Sequence, residues 1–376
     1  MPKIKTAVVI PTQPNLQSSL QNLLKVYEYL AAKYGMGVTI FTDEKNSFSY
    51  PKFEVKRIKS MDYKTIFEKI LLVMGLQRFY YTGLIEKLKN YDVIETSNPE
   101  FYWFAYQSYI AAKKYNSRLI YRTSQTVDGF YLFKITKFIP ISIARKAYDY
   151  AHKLFFTNPA AAERCVRLGL IAKNDKRIVI TGHATDIKIF KPSGAKKAKG
   201  LTTMISVGGL YELKGHHLII NALKILKDKG YSVNLIIIGE GYYRKNLLQL
   251  TENLGLKSSI KFLGSLNHKN LAQEYNKADI FVLANFQEIT PAVNEALACG
   301  LPVVAMECGG REFVIPNERF GLICKRFDVE DMAKKVELLI RNRKMRKRIA
   351  KNGREMVLKN FSIETVAEKF YKSFTN

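Results

Sequence analysis

Strand-like and helical segments alternate along the chain, and this alternation constrains the fold more than any other feature of the sequence. Short apolar runs are each followed by a stretch with helical apolar spacing, such as the one over residues 16–33. Strands that alternate with helices pair in parallel. The sequence therefore predicts an α/β protein with doubly wound parallel sheets.

The predicted strands fall into two series. They are 6–11, 38–42, 55–58, 92–96, 119–122, 154–157 and 178–181 in the first half, and 204–207, 234–238, 260–263, 280–284 and 303–305 in the second. A chain of 376 residues is long enough for two domains. Residues 192–200, PSGAKKAKG, have the composition of a linker. We therefore expect one Rossmann-like domain over 1–190, a linker over 191–200 and a second such domain over 201–360.

Cysteine usage and hydropathy bound the class of protein. The four cysteines form no CxxC pair, which argues against a structural zinc site and for a reducing compartment. The first predicted strand, 6–11, follows the N-terminus almost at once, so no signal peptide is expected, and no uncharged apolar run is long enough for a transmembrane helix. We expect a cytoplasmic protein.

The formal charge of +27 is the one unusual feature of the composition. The excess of basic residues is shared by both halves, which argues against a localised nucleic-acid-binding stripe. It is consistent with a lysine-rich solvated surface, or with contacts to an anionic membrane or to phosphate-bearing substrates. The aromatic and basic stretches 67–81 and 131–148 suit interfacial helices; buried amphipathic helices with a solvated basic face are the alternative.

The segment 286–305 predicts a ligand site. Thr290 and Pro291 have the residue types of a helix N-cap and first helical position, and the predicted helix ends at Cys299 before Gly300. The helix would begin at the carboxyl end of a parallel strand, where anionic ligands bind. Glu288 and Glu295 flank this position, and a carboxylate accepts two hydrogen bonds from a sugar diol. An ordinary capped helix with solvated glutamates is the alternative.

Glycines follow three strands of the second half. They are Gly208 with Gly209, Gly239 and Gly264, and glycine lets a nucleotide approach the backbone closely. The alternative is that these glycines only turn the chain. Lys214 lies before the next helix and can place an ammonium beside a diphosphate, or it is an ordinary surface lysine. The loop 12–15 after the first strand carries no GxGxxG motif, which argues against a dinucleotide oxidoreductase.

Four motifs of the second half occur in the order typical of one family. They are VGGLYELKG (207–215), LIIIGEG (235–241), IKFLGSL (260–266) and QEITPAVNEALACGLPVVA (287–305). In these motifs the chain resembles the retaining, nucleotide-sugar-dependent glycosyltransferases of GT-B architecture, glycosyltransferase family four. The resemblance implies two Rossmann-like domains that face each other across a cleft. It also implies that the first domain binds the acceptor and that a C-terminal helix, within 361–376, crosses back to the first domain.

The resemblance implies roles for the residues near the predicted helix. Lys214 would bind the donor diphosphate, and Glu288 would hold the donor sugar and phosphate together with the amides of Ile289 and Thr290. Glu288 and Lys214 are therefore the predicted catalytic residues.

Further residues would bind the nucleoside. Glu295 would accept hydrogen bonds from the ribose hydroxyls, while the Leu266 backbone and Gly264 would line the base pocket. The resemblance implies neither a cofactor nor an obligatory metal, and no Asp-X-Asp sequence occurs in the chain.

The chain departs from the family pattern in three places. The family usually has arginine where Gly209 stands. Its paired glutamates have seven residues between them, whereas Glu288 and Glu295 have six, and Gln287 occupies the seven-spaced position. Residues 123–125 are TSQ, without the histidine that is common after this strand.

We therefore expect a retaining glycosyltransferase that moves a hexose from a UDP or GDP sugar to a hydroxyl acceptor. A glycan or a lipid-linked glycan is one class of acceptor, and another sugar, a protein or a small molecule is the alternative. The expected partners are the nucleotide sugar and the acceptor, with peripheral contact to the cytoplasmic face of an anionic membrane as a further expectation, and no nucleic acid. A GT-B-like binding or scaffold protein is one alternative, and a basic nucleic-acid-binding protein is the other.

Overall fold

The computed structural model describes residues 4–11, 18–47, 49–60, 80–100, 102–124, 126, 138–194 and 200–375. The loop 12–15 and most of the stretch 67–81 lie outside these ranges, as do residues 131–137 of the second aromatic and basic stretch. The predictions made for those segments therefore lie outside the described residues. Within the described ranges, no helix is both long enough and apolar enough to cross a bilayer.

The first compact unit contains residues 1–182 and 366–376. Its sheet is formed by β1 (Lys5–Val9), β2 (Gly37–Asp43), β3 (Glu54–Ile58), β4 (Val93–Thr96), β5 (Arg118–Thr123), β6 (Lys153–Phe156) and β7 (Ile178–Ile180). The strand order is β3-β2-β1-β4-β5-β6-β7, and every pair is parallel. The inner strands β1, β4, β5 and β6 are mostly buried, as is usual in parallel sheets, while the edge strands β3 and β7 are partly exposed.

Within the described residues, the helices of the first half are short to medium in length. They are α1 (Ser18–Tyr34), α2 (Leu84–Lys87), α3 (Trp103–Tyr115), α4 (Phe138–Tyr150) and α5 (Pro159–Arg167). The helix α5 was not predicted from the sequence. It begins at Asn158, whose side chain accepts a hydrogen bond from the Ala161 amide, and Pro159 follows as the first helical residue.

The second compact unit contains residues 183–365. Its strands are β8 (Thr202–Val207), β9 (Val233–Ile238), β10 (Ile260–Phe262), β11 (Ile280–Leu283), β12 (Val303–Met306) and β13 (Leu322–Cys324). They pair in parallel in the order β10-β9-β8-β11-β12-β13. The predicted pair of doubly wound parallel α/β domains is thus confirmed.

The helices of the second half complete the chain. They are α6 (His216–Asp228), α7 (Arg244–Asn253), α8 (His268–Lys277), α9 (Pro291–Ala298), α10 (Arg311–Val314), α11 (Val329–Arg341), α12 (Arg343–Asn360) and α13 (Ile363–Thr375). The boundary between the units lies after Gly182, before the predicted linker 191–200, of which residues 195–199 lie outside the described ranges.

The last helix, α13, begins in the second unit and continues in the first, which includes residues 366–376. Phe370 is 1% exposed, and its ring centroid lies 4.5 Å from that of Phe155 and 6.2 Å from that of Tyr27. Tyr371 stacks on Tyr34 with ring centroids 3.4 Å apart. The chain therefore returns to the first unit through an apolar helix face.

Candidate functional site

The strand order of the second sheet identifies one position where a ligand site can form. β8 and β11 are neighbours, but the chain leaves β8 toward β9 on one side and leaves β11 toward β12 on the other. In an open parallel sheet, ligands bind outside the carboxyl ends of the two strands at such a switch point. Here those ends continue into residues 208–215 and 284–290, which we call the donor loops.

The two donor loops are packed tightly against each other. The Phe286 amide donates to the Leu213 carbonyl at 3.1 Å. Gly215 has φ +68°, and a Cβ atom at this position would lie 2.1 Å from the Ala284 carbonyl oxygen. Only glycine fits this position, so Gly215 fixes where Lys214 stands relative to the second loop.

Lys214 and Glu288 lie in these two loops, close enough to affect each other's pKa but without an ion pair. Burial lowers the pKa of Lys214, and the Glu288 carboxylate opposes this shift. Burial raises the pKa of Glu288 to about 7, and Lys214 opposes that shift in turn. No ion pair within 4.0 Å joins them in the part of the chain that the structure describes, and Glu288 Oε2 is buried without a hydrogen-bond partner there. A desolvated cation and carboxylate without mutual contact leave both groups available to a polar ligand.

Asn285 shapes the loop that carries Glu288. Its side chain is fully buried, and its Nδ2 donates to the Glu288 carbonyl at 2.7 Å. On the other side of Glu288, a parallel bridge joins this residue to Gly309. These bonds hold Glu288 in place, although the spacing between Glu288 and Glu295 is one residue shorter than in the family pattern. Asn285 was not predicted, although a polar residue directly after an apolar strand was the available signal.

The N-terminus of α9 agrees with one part of the prediction and contradicts another. Thr290 is the N-cap in extended conformation with φ −102°, Pro291 follows, and Thr290 Oγ1 is buried without a partner among the described residues. The Ile289 amide, however, donates to the Gly309 carbonyl at 3.1 Å, and the Ile289 side chain is buried. The predicted role of the Ile289 amide as a phosphate donor is therefore wrong for this conformation, because backbone pairing already uses it.

Glu295 lies one turn further into α9 and is 1% exposed. The Tyr275 hydroxyl lies 3.4 Å from its Oε2 atom and also donates to the Ala292 carbonyl at 3.3 Å. Of the two glutamates expected at the mouth of the helix, only Glu288 is partly exposed. A ribose contact to Glu295 stays a prediction, and it requires a local movement that opens this carboxylate.

The predicted glycines lie side by side along the carboxyl edge of β8, β9 and β10. The Gly208 amide donates to the Ile238 carbonyl at 3.0 Å, and the Gly239 amide donates to the Gly264 carbonyl at 2.9 Å. A Cβ atom at Gly239 would lie 1.9 Å from the Gly208 oxygen. Packing within the protein is therefore sufficient reason for a glycine at position 239. Gly208 and Gly264 border an edge of the sheet that a nucleotide could approach. Leu266 follows this edge and is half-buried against the core of the unit.

The place of the family arginine is occupied by an aromatic ring. A Cβ atom at Gly209 would lie 2.5 Å from Cε2 of Tyr211. The Tyr211 residue is 46% exposed, and its ring centroid lies 5.5 Å from that of Tyr242 in the adjacent loop. Glycine supplies no cation at position 209, and the exposed Tyr211 ring lies where a side chain would stand.

His216 is a residue of the site that the sequence analysis missed. It is 2% exposed, and its Nδ1 lies 3.3 Å from the Ser206 Oγ. Burial lowers the pKa of His216 to about 4, so the imidazole is neutral at neutral pH. Its Nε2 lies 3.8 Å from the place where a Gly208 Cβ would stand. His216 therefore packs beside Gly208 and Ser206 and helps to hold this loop in place. The available sequence signal for it was a histidine at the start of α6.

Metal-binding groups are absent from the parts of the chain described above: no three His, Cys, Asp or Glu side chains are grouped closely enough there to hold an ion. The four cysteines are all buried as free thiols. The site so described consists of one cation, one carboxylate, two helix N-termini and a glycine-lined sheet edge.

A family model covers most of the second unit. Residues 188–356 match the family described as "Glycosyl transferases group 1". The chain is 29% identical over 170 residues to an uncharacterized glycosyltransferase of Haemophilus influenzae, which covers 45% of this chain and 47% of that protein. It thus spans about half the length of that relative.

Over a longer stretch, the chain is similar to a Campylobacter jejuni protein, the N,N'-diacetylbacillosaminyl-diphospho-undecaprenol alpha-1,3-N-acetylgalactosaminyltransferase. The two are 27% identical over 320 residues, which is 80% of this chain and 81% of that protein. Among solved structures, the chain is similar to Anabaena Alr3699/HepE in complex with UDP, with a TM-score of 0.79, 17% identity and coverage of 99% and 100%. It is also similar to WaaG, a glycosyltransferase involved in lipopolysaccharide biosynthesis, with a TM-score of 0.75, 16% identity and coverage of 99% and 100%.

Proposed function

We propose that the protein, whose residues 188–356 match the glycosyl transferases group 1 family in a chain of GT-B fold, is a glycosyltransferase that uses a nucleoside-diphosphate sugar. It transfers a hexose from a UDP or GDP donor to a hydroxyl acceptor with retention at the anomeric carbon. The observation that supports this most is the desolvated, unpaired Lys214 beside Glu288 at the switch point between β8 and β11.

The chemistry of this site is electrostatic. When the bond between the anomeric carbon and the diphosphate oxygen breaks, negative charge develops on the departing diphosphate. The Lys214 ammonium and the N-terminal dipoles of α6 and α9 stabilise that charge, and they do so more strongly because the site is desolvated. The carboxylate of Glu288 accepts hydrogen bonds from the donor sugar and holds it over the leaving group. In this proposal the residues need neither a metal nor a cofactor.

The nucleoside occupies the carboxyl edge of β8 to β10. Gly208, Gly264 and the backbone of Leu266 border the base, and Glu295 binds the ribose after a local opening. UDP in the similar Anabaena structure supports a nucleoside diphosphate at this fold, and the proposal takes this chemistry for the present chain.

The acceptor in this proposal is a glycan or a lipid-linked glycan. The name of the Campylobacter relative, which acts on a diphospho-undecaprenol-linked sugar, supports a lipid-linked acceptor. An acceptor of this kind would bring the protein to the cytoplasmic face of a membrane as a peripheral protein.

A catalytically weak binding protein is the second candidate. It is favoured by Gly209, where the family arginine is missing and the Tyr211 ring occupies its place. With one cation fewer, the leaving diphosphate is stabilised less, so the same site would bind the nucleotide and transfer sugar slowly.

The test combines binding and turnover. Thermal unfolding of the protein is measured with UDP, GDP and their hexose derivatives, because a ligand that binds the native state raises the midpoint. Donor turnover is then compared for wild type, Lys214→Ala, Glu295→Ala and the control Lys257→Ala, whose side chain is 85% exposed. We expect Lys214→Ala to lower turnover about 100- to 1,000-fold, as the loss of one charge-stabilising group does elsewhere.

The outcomes separate the candidates. Wild-type turnover in both Lys214→Ala and Glu295→Ala would contradict the proposed donor site. Donor binding without transfer or hydrolysis in wild type would favour the binding protein.

A further inference from the structure

A groove of about 380 Å³ lies between α6 and α7 on the second unit. Its polar and aromatic lining comes from both helices and from the residue before α7: His217, Asn221, Tyr243, Asn246, Gln249 and Asn253. The residues from α7 recur every three or four positions, so they share one face of that helix. This volume lies at the lower end of the range of small-molecule sites, roughly 300–1,000 Å³.

The groove is uncharged in a chain with a formal charge of +27. None of the described residues that line it is an acid, a lysine or an arginine. Two charged side chains of α7 pair with residues outside the lining: Arg244 Nε lies 3.8 Å from Glu240 Oε2, and Glu252 Oε1 lies 3.8 Å from Lys257 Nζ. A ligand in the groove thus meets neutral groups, which would not compensate a buried phosphate or carboxylate.

Four carboxamides supply the hydrogen-bonding capacity of the groove. The Asn221 Nδ2 donates to the His217 carbonyl at 2.8 Å, and the Gln249 Nε2 donates to the Asn253 Oδ1 at 2.9 Å. These bonds orient the amides and still leave a carbonyl oxygen on Asn221 and on Gln249. Because a carboxamide offers both donors and an acceptor, it matches hydroxyl groups, which do the same. Asparagine is also a poor helix former, so packing of the helices alone does not favour it at Asn221 or Asn246.

The His217 and Tyr243 rings line the groove, and the Phe286 ring packs against His217 from outside this lining. The His217 ring centroid lies 6.0 Å from that of Tyr243 and 6.0 Å from that of Phe286, with interplanar angles of 73° and 87°. The His217 Nδ1 is buried and has no hydrogen-bond partner in the part of the chain that the structure describes. Burial lowers the pKa of His217, so this imidazole is neutral at neutral pH. The groove therefore combines rings for an apolar ligand face with a polar atom that still lacks a partner.

We propose that this groove binds a neutral saccharide of one or two sugar units, as a carbohydrate site apart from the donor loops. The hydroxyl groups bond to the carboxamides, and a C–H face of the sugar lies against the rings. The inference stands on the groove itself and goes beyond the proposed transfer reaction. In a glycosyltransferase, such a site would hold a second part of a glycan chain away from the reacting hydroxyl.

The experiment uses the full chain with UDP in excess to occupy the donor loops. Saturation-transfer difference NMR measures binding of methyl α-glucoside, maltose and N,N'-diacetylchitobiose, with glucuronate and glucose 6-phosphate as charged counterparts. The same spectra are recorded for the double variant Asn246→Ala with Gln249→Ala and for the control Lys245→Ala on the same helix. All three residues are exposed, so the fold should persist, and thermal unfolding checks this.

We expect at least one neutral saccharide to bind wild type and Lys245→Ala equally. The double variant should bind it at least about tenfold more weakly, because each lost neutral hydrogen bond accounts for about fivefold. Three results would each overturn the proposal: no neutral saccharide binds, the charged sugars bind as well as the neutral ones, or the double variant binds like wild type. A failed transfer assay with intact saccharide binding would refute the proposed transfer activity and leave this groove unaffected.

Discussion

Two opposing effects act on the carboxyl group of Glu288. Burial raises its pKa from 4.5 to about 7, while the Lys214 ammonium lowers it. Burial prevails because the two groups are not in direct contact, so the attraction between them is weaker than the loss of hydration. The carboxyl group thus changes its charge near neutral pH, in a site whose proposed ligand is an anion.

This shift predicts a pH-dependent cost to stability. The fold favours protonated Glu288, whereas the unfolded chain keeps the ordinary pKa. The stabilisation from protonation is complete below about pH 4.5 and is lost as the pH rises through about 7, by at most about 3 kcal/mol. Glu288→Gln carries a neutral amide at every pH. We therefore expect this variant to gain stability relative to wild type between pH 5 and pH 8.

Urea unfolding at the two pH values measures this difference. The control is Glu312→Gln, whose carboxylate is 66% exposed. The prediction fails if wild type and Glu288→Gln differ in stability by the same amount at pH 5 and at pH 8. That result would show that the Glu288 carboxyl group is less buried than in this structure.

At the scale of helices and strands, the sequence predicted what depends on local pattern. All twelve predicted strands are present, because most of them are apolar runs that a parallel sheet buries on both faces, and such runs need no partner-specific signal. β13 was missed, since three residues between turns carry little pattern. The hydrogen bond from the Ile289 amide to the Gly309 carbonyl could not be predicted either, because Gly309 lies 20 positions away and only the fold brings the two together.

The strand-end glycines give a prediction that separates packing from backbone conformation. Gly239→Ala would place a methyl group 1.9 Å from the Gly208 oxygen, at φ +143°. Gly230→Ala is the matched control, because Gly230 also has positive φ, +82°, but has nothing within 4 Å of the new methyl group. Both variants carry the conformational cost of alanine at positive φ. We expect Gly239→Ala to lose about 2 kcal/mol more of unfolding free energy, as measured by urea denaturation.

Nearly equal losses in the two variants would mean that the β8 and β9 ends can move apart without cost. In that case the glycine-lined edge would be a flexible surface, and its role in the proposed base pocket would lose its structural support.

At the scale of the whole chain, the two compact units are connected twice, once near Gly182 and again through α13. The sequence could predict this return only through its resemblance to a family, because α13 by itself has the pattern of any amphipathic helix. Its contacts explain the return physically. The aromatic face of α13 packs on the first unit. In addition, Glu368 of α13 accepts hydrogen bonds from Lys33 at 2.6 Å and from Tyr34 at 2.7 Å.

Phe370→Ala tests whether this last helix is part of the first unit. The ring is 1% exposed against Phe155 and Tyr27, so its removal should cost about 3–5 kcal/mol, whereas the control Lys372→Ala changes an exposed residue of the same helix. Calorimetry should show a lower first-unit transition in Phe370→Ala alone, and the transition that UDP raises should keep its midpoint. The donor loops lie in the second unit, so UDP affinity should stay within about twofold of wild type. If Phe370→Ala instead lowered UDP affinity and left the first-unit transition unchanged, α13 would support the donor site rather than the fold of the first unit.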